Sequence, residues 1–395
     1  MRTTGVLLLC LGAVLGGALG LAWAEGTAGQ PPQETLVVVQ AAPGAYGEGE
    51  AGASPEAIWP TLALTEVISQ AVAAVPGYRA QAWRSEGESA VLTPEERAAE
   101  LSRMADIGVA YLLEAQASAG EGGVKGSVLI LRPPQALERR VSAEQGAQQG
   151  LVAFLRSLAA QTLREMGVKE EIAQQAVTTV PGSDNAEAVR HYYRGAAFWQ
   201  LGDAGSARAE YEAAVGLDSP YVAALKALAG ALYQEGVEAY GKGDSAGAVA
   251  KFEAAAQRYR EAGDEENAIL SVAFAHLYQG EAFWSAGDKE AALEHFRAAV
   301  AESMKGKEGP LLPKAHVTLG GGLWELGQNL VSAGKNEEAV SALQQAAAQY
   351  GIAGQLRERA ACLVAAAQVL EEMQRTGEAA EGYLEAGRLF VRVGE

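Results

Sequence analysis

Gly195-Ala196-Ala197-Phe198-Trp199-Gln200-Leu201-Gly202-Asp203, followed by Ala207, Tyr211 and Ala214, spells a helix, a tight turn and a second helix folded back on the first. Gly195 is small enough to let a neighbouring helix come close. Gly202-Asp203 turns the chain, and Ala207, Tyr211 and Ala214 recur at helical spacing to fill the seam. The same skeleton returns at Gly236, Gly243-Asp244, Ala248, Phe252 and Ala255, and again at Gly280, Gly287-Asp288, Ala292, Phe296 and Ala299. A fourth copy reads Gly327, Gly334, Ala339, Leu343 and Ala346. A degenerate fifth aligns as Ala367, Leu370, Ala379, Tyr383 and Ala386. Stacked repeats need roughly three copies to bury a continuous core, and five satisfy that.

These residues resemble the tetratricopeptide repeat. The resemblance implies an α-solenoid of helical hairpins wound as a right-handed superhelix over residues 185–395. The small first-helix residue recurs after 41, 44, 47 and 40 residues, against a family period of about 34. Longer helices or longer connections are therefore expected.

Outward from the repeats, the chain has 395 residues, 49% of them hydrophobic and 20% charged, the composition of a folded protein of two or three domains. Arg2, the apolar run from Gly5 to Leu21, and Ala22-Trp23-Ala24 before Glu25 fit a secretory signal over residues 1–24. Cleavage near Ala24-Glu25 would send the protein to the periplasm or outside the cell. It would also leave Cys362 as the sole cysteine, so no internal disulfide forms. Cys362 lies among Ala360, Ala361, Leu363 and Val364 and reads as a buried small hydrophobe. The 31 Lys and Arg, one of them Arg2, stand against 49 Asp and Glu. That balance argues against nucleic acid and anionic lipid surfaces as partners.

Between a tether at 25–34 and a linker at 168–184, residues 35–167 alternate strands and helices. Leu36 to Gln40 reads as a buried strand, Pro55 to Val75 as a helix and Tyr78 to Trp83 as a second strand. Ala42 to Ser54 is a loop. Thr93-Pro94-Glu95-Glu96 joins an N-cap, a first-turn proline and a capping-box glutamate, and starts a helix that runs to Asp106. Val109 to Gln116 and Val124 to Leu131 form an antiparallel pair through a glycine-rich turn, with a return strand near Leu137 to Val141. Ser142 and Gln145 are expected to cap a final helix ending at Met166. This order, with the segments LTEVISQAVAAVPGYRAQAW, ELSRMADIGVAYLLEAQAS and VKGSVLIL, resembles the amino-terminal domain of TolB and the related FlgO-like domain. The strand-Pro-Phe opening of that family is replaced here by Ala41-Ala42-Pro43. The family implies no catalytic residues.

The chemistry of enzymes is sparse. Gly236-Val-Glu-Ala-Tyr-Gly241-Lys242-Gly243 departs from a phosphate-binding loop, lacking both the hydroxyl residue after the lysine and the preceding strand. His191, His276, His295 and His316 include no i, i+4 pair, and there is no cysteine cluster. The adjacent pairs Glu265-Glu266, Glu337-Glu338 and Glu371-Glu372 read as solvated surface. The expectation is a protein without catalytic activity, metal or cofactor.

In tetratricopeptide arrays, the fifth and twelfth repeat positions usually face the concave groove. Carried over, that register selects Tyr192, Tyr233, Leu277, Trp324 and Val364, and then Trp199, Tyr240, Trp284, Val331 and Glu371. Gln200, Glu281, Gln328 and Gln368 lie among them as partners for a peptide backbone. Six aromatic rings on a rigid surface offer apolar area with little rotamer entropy to lose, which suits an apolar or Pro-rich protein segment. The same rings could instead be core. Few basic residues belong to this register, so a carboxylate clamp is not expected. The sequence thus points to an exported scaffold or adaptor of the bacterial cell envelope. The alternative is a regulatory subunit whose α/β domain senses a small molecule. Self-association of the array stays open.

Overall fold

Val37, Val38 and Val39 sit in a strand covered on both faces, which is why the run LVVVQ carries no polar alternation. This strand, β1 (Thr35–Ala41), pairs in parallel with β2 (Tyr78–Ala82) and β3 (Val109–Gly120). β4 (Gly123–Arg132) and β5 (Gln135–Glu144) then continue antiparallel, giving the order β2-β1-β3-β4-β5. The computed structural model describes residues 34–42, 54–82, 93–120, 123–145, 150–306 and 313–394. The expected signal at 1–24, nearly all of the tether and most of the loop Ala42 to Ser54 lie outside the described residues.

The chain divides into two compact units, Met1–Ala227 and Leu228–Glu395. In the first, α1 (Pro55–Ala73) and α3 (Leu151–Glu165) pack Leu64, Val67, Ile68, Phe154, Leu155 and Leu158 with Val37, Val39 and Leu113 of the sheet. The opposite face receives α2 (Pro94–Asp106), whose Leu101 and Met104 cover Val38, Leu112 and Leu131. The expected element order is observed, and Thr93 makes the anticipated capping box with Glu96.

Two expectations fail here. Ser142 is not a helix cap but a β5 residue registered against Ser127. Its neighbours Val141 and Ala143 pair with Val128 and Gly126, so the ladder runs on to Glu144 and α3 begins only after Gly150. The stretch 168–184 is not a bare linker either. It contains α4 (Glu170–Ala176), and Ala173, Ala176, Val177 and Val180 are buried in the same core as α1 and α3.

Ten helices follow as five hairpins: α5 (Ala186–Gln200) with α6 (Ala204–Leu217), α7 (Val222–Gly241) with α8 (Ser245–Glu261), α9 (Glu265–Ala286) with α10 (Lys289–Ser303), α11 (Pro313–Ser332) with α12 (Asn336–Ile352), and α13 (Leu356–Glu372) with α14 (Thr376–Val393). First helices of up to 22 residues account for the long repeat period. The boundary between the two units falls inside α7.

The turn chemistry follows the sequence. Gly202 at φ 81° and Gly287 at φ 89° take left-handed backbone, and the next residues, Asp203 and Asp288, cap α6 and α10 through the amides of Ser206 and Ala291. The seams follow it as well. A Cβ placed on Gly195 would lie 2.6 Å from the Tyr211 ring, and one on Gly280 would lie 2.6 Å from the Phe296 ring. The fifth hairpin breaks the pattern, because Tyr383 does not enter the seam and is 37% exposed. Its first helix offers Ala367 where the others offer glycine, so a ring has no place to lie. Gly382 closes the seam from the other side, where an added Cβ would be 3.1 Å from that of Ala367.

Candidate partner-binding surface

In the second unit, the expected groove residues form half-buried aromatic clusters on the first helices of the hairpins. Tyr233 stands edge-on to Phe252 at 5.1 Å and to Phe274 at 5.6 Å between centroids. Tyr240 stacks on Tyr278 at 3.9 Å, and its hydroxyl donates to the Glu281 carboxylate. That carboxylate favours the protonated phenol and pushes Tyr240 up to about 12. Trp284 leans on Phe296 at 6.1 Å. Trp324 packs where two core clusters of this unit meet, and Gln328 beside it is exposed.

Cations also reach these rings, contrary to the sequence register. Lys289, just past the α9–α10 turn, holds its ammonium 3.5 Å from the Trp284 ring centroid and 3.3 Å from Glu325. Lys314, at the start of α11, sits 5.2 Å from the Tyr278 ring centroid and 3.6 Å from Glu281. Neither belongs to the fifth or twelfth repeat positions, so a register taken from one helix at a time misses them. Two of these aromatic platforms, Trp284 and the Tyr240–Tyr278 stack, are thus each flanked by a cation and a carboxylate.

Other expected members lie elsewhere. Leu277 is fully buried. Trp199 and Gln200 belong to the first unit, half-buried and exposed respectively. Tyr192 is half-buried and packs against the first unit's core, 4.8 Å from Tyr193 and 5.2 Å from Tyr221.

There it meets a group the sequence reading missed. Glu66 of α1 accepts hydrogen bonds from Gln70 at 2.9 Å and from the Tyr192 hydroxyl at 3.4 Å, and its charge bears on Tyr193, Tyr211 and Tyr221 as well. The Tyr193 and Tyr221 hydroxyls are buried without a partner. Loss of hydration raises Glu66 from 4.5 to about 7, outweighing the two hydrogen bonds. The one available signal was a charged residue set between Leu64 and the pair Val67-Ile68 on the buried face of α1.

The folded protein therefore keeps the Glu66 proton over a pH window in which the unfolded chain has released it. The resulting stabilisation is complete below about pH 4.5 and is lost as pH rises through about 7, a change on the order of 3 kcal/mol. Urea unfolding of the parent, followed by the fluorescence of buried Trp59, should show this loss between pH 5 and 8. In Glu66→Gln that component of the slope should vanish. Equal slopes in the two proteins would exclude Glu66 as its source.

The histidines each meet a neighbouring side chain, and Nε2 of His316 is buried without a hydrogen-bond partner among the described residues. His191 lies 2.7 Å from Glu210, His316 lies 2.8 Å from Gln349, and His276 meets His295 at 3.3 Å between Nδ1 atoms. Burial and the neighbouring His295 lower His276 below the usual histidine range. Among the described residues, no three His, Cys, Asp or Glu side chains converge to hold a metal. Cys362 is buried as expected, and its thiol is pushed up to about 12. Beyond α2, the sheet bears an open depression of about 450 Å³ lined by Gln116, Ser118, Lys125, Ser127, Ser142 and Glu144. Lys125 and Glu144 neutralise each other there at 3.0 Å. No described helix is long and apolar enough to cross a membrane.

The family model for the soluble NSF attachment protein, SNAP, matches residues 314–394, which span α11 to α14. No curated protein matches at a significant level. Among solved structures, IFIT1 with Gppp-AAAA is 15% identical over 60% of this chain and 60% of its own, with a TM-score of 0.26. Aspartyl phosphate phosphatase F of Bacillus subtilis is 14% identical over 61% of this chain and 63% of its own, with a TM-score of 0.29. The TPR2AB domain of yeast Sti1 in its pHSP90 complex is 13% identical over 58% and 95%, with a TM-score of 0.18. The chain thus spans less than two thirds of the length of the first two. At these identities and scores, what is shared goes no further than arrays of helical hairpins.

Proposed function

We propose that this chain is an exported, non-enzymatic scaffold of the bacterial cell envelope, which holds an apolar or Pro-rich protein segment against the aromatic platforms of its second unit. The observation that carries this reading is the row of half-buried rings Tyr233, Tyr240, Trp284 and Trp324 on successive first helices. Rigid rings with one exposed face supply contact area at low entropic cost. Glu281, Gln328, Lys289 and Lys314 supply the hydrogen-bonding groups that set the register of a bound backbone. On this reading residues 1–24 direct export, and the α/β domain, similar in element order to the TolB and FlgO-like domains, docks a second envelope component.

The test is affinity capture from envelope extract with the parent and with Trp284→Ala combined with Tyr240→Ala, both shown to be folded by circular dichroism. A partner retained by the parent should be lost at least about tenfold from the folded variant, since central aromatic anchors each contribute about 2 kcal/mol or more. Lys289→Ala and Lys314→Ala leave the packed rings in place and should weaken the same capture by a smaller factor. Identical captures from parent and variants would remove this surface from the function.

A further inference from the structure

The last described helix, α14, carries a stripe that no described residue of the second unit covers. Its inner side buries Ala379, Ala386 and Leu389. On its outer side, Gly377, Ala380, Leu384, Gly387 and Val391 follow one another at spacings of three and four, the pattern of a helix-packing seam. Leu384 is 56% exposed and Val391 75% exposed, the latter the highest value among the large hydrophobic residues of the described chain. A Cβ placed on Gly377 or Gly387 would meet nothing within 4 Å. Along one edge of the stripe stand Glu381 and Arg388, seven residues apart and two turns of the same helix. Both are exposed, and neither takes part in an ion pair or hydrogen bond among the described residues.

This arrangement is complementary to itself when reversed. Two copies of α14 placed antiparallel about a two-fold axis near the middle of the helix bring Leu384 level with Gly387 of the second copy, and Val391 level with Ala380 of the second copy. Each large side chain then faces a small one. The same axis keeps like edges together, so Glu381 falls within about 3 Å along the helix axis of Arg388 of the second copy, inside the reach of the arginine side chain, and the pair occurs twice. An isologous contact requires this property, that one patch be both halves of the interface. We propose that the outer face of α14 is a homodimer contact, with a second copy of this chain as its occupant.

Sedimentation equilibrium of the chain freed of residues 1–24, over about 1 to 100 µM, tests the proposal. The parent should dimerise reversibly in that range. Combined Leu384→Glu and Val391→Glu should weaken dimerisation at least about tenfold while leaving the circular dichroism spectrum unchanged, because both positions are exposed. Glu381→Arg alone and Arg388→Glu alone each set like charges against one another in both symmetry-related places, and each should weaken the dimer. The two reversals together restore opposite charges and should bring the affinity back to that of the parent at low salt. A parent that stays monomeric at about 100 µM overturns the proposal and leaves the face to a different partner. A dimer untouched by the paired glutamates overturns it too, and so does a double reversal no tighter than the singles.

Discussion

Arg97→Ala is expected to cost the first unit about 3–5 kcal/mol, because it strands a carboxylate inside the sheet domain. Glu114 lies mid-way along the central strand β3, where its side chain is 3% exposed. Both of its oxygens receive the Arg97 guanidinium, Nη1 at 2.6 Å from Oε1 and Nη2 on Oε2, and Gln40 donates to Oε1 at 2.9 Å. Removing the arginine leaves a charge with one neutral donor in place of a bidentate cation. The cost comes from desolvation of the orphan and not from the intrinsic strength of the pair. The matched replacement Arg97→Met with Glu114→Leu should therefore recover most of the loss. Urea titration read through Trp59 measures both, and a single variant within about 1 kcal/mol of the parent would mean that water reaches Glu114.

Gly280→Val should destabilise the second unit by about 3 kcal/mol or more. The Cβ alone would sit 2.6 Å from Phe296 Cδ1 and 3.1 Å from the Ala292 carbonyl oxygen. The ring can swing aside, but the carbonyl belongs to α10 and moves only if the hairpin opens. Overpacking of a filled seam costs about 1–3 kcal/mol for small insertions, and valine adds two methyl groups to a contact already too short for one carbon. Gly280→Ala should be milder, since about 1 kcal/mol of gained helix propensity offsets part of the clash. Gly216→Ala is the control. Its surroundings hold nothing within 4 Å, so it should be neutral or stabilising by up to about 1 kcal/mol. Thermal unfolding of the three variants ranks them, and a Gly280→Val protein as stable as the parent would show that the hairpin seam is loose.

Gly280 also shows why the hairpins were legible. A glycine opposite a ring, a left-handed turn glycine and a capping aspartate are local devices, and each leaves a residue at a fixed distance along the chain. The order of elements along the α/β domain was legible for the same reason, from the unbroken valines of β1 to the capping box at Thr93, but the parallel pairing of β1 with β2 and β3 was not. What stayed hidden were pairings between distant segments. Arg97 meets Glu114 across the sheet, Glu66 meets Tyr192 across 126 residues, and Lys314 arrives at Tyr278 from the following hairpin. The register of a repeat places a ring on a helix face but does not say what lies above it. Tyr192 therefore packs against tyrosines and Glu66 of the first unit, while Tyr233, Tyr240, Trp284 and Trp324, half-buried like it, line the second unit.

The burial of α4, Tyr193 and Tyr221 in the same core as α1 and α3 has a consequence for inheritance. A domain that travels between genes must close its own core within the piece that is copied. Here the α/β sheet leaves part of that closure to the short helix after residue 167 and to the tyrosines that open the helical array. A recombination event cutting at 167 would deliver a sheet with its flank uncovered. The unit that can be shuffled intact is the sheet together with its first hairpin, and repeats are free to be gained or lost only beyond it.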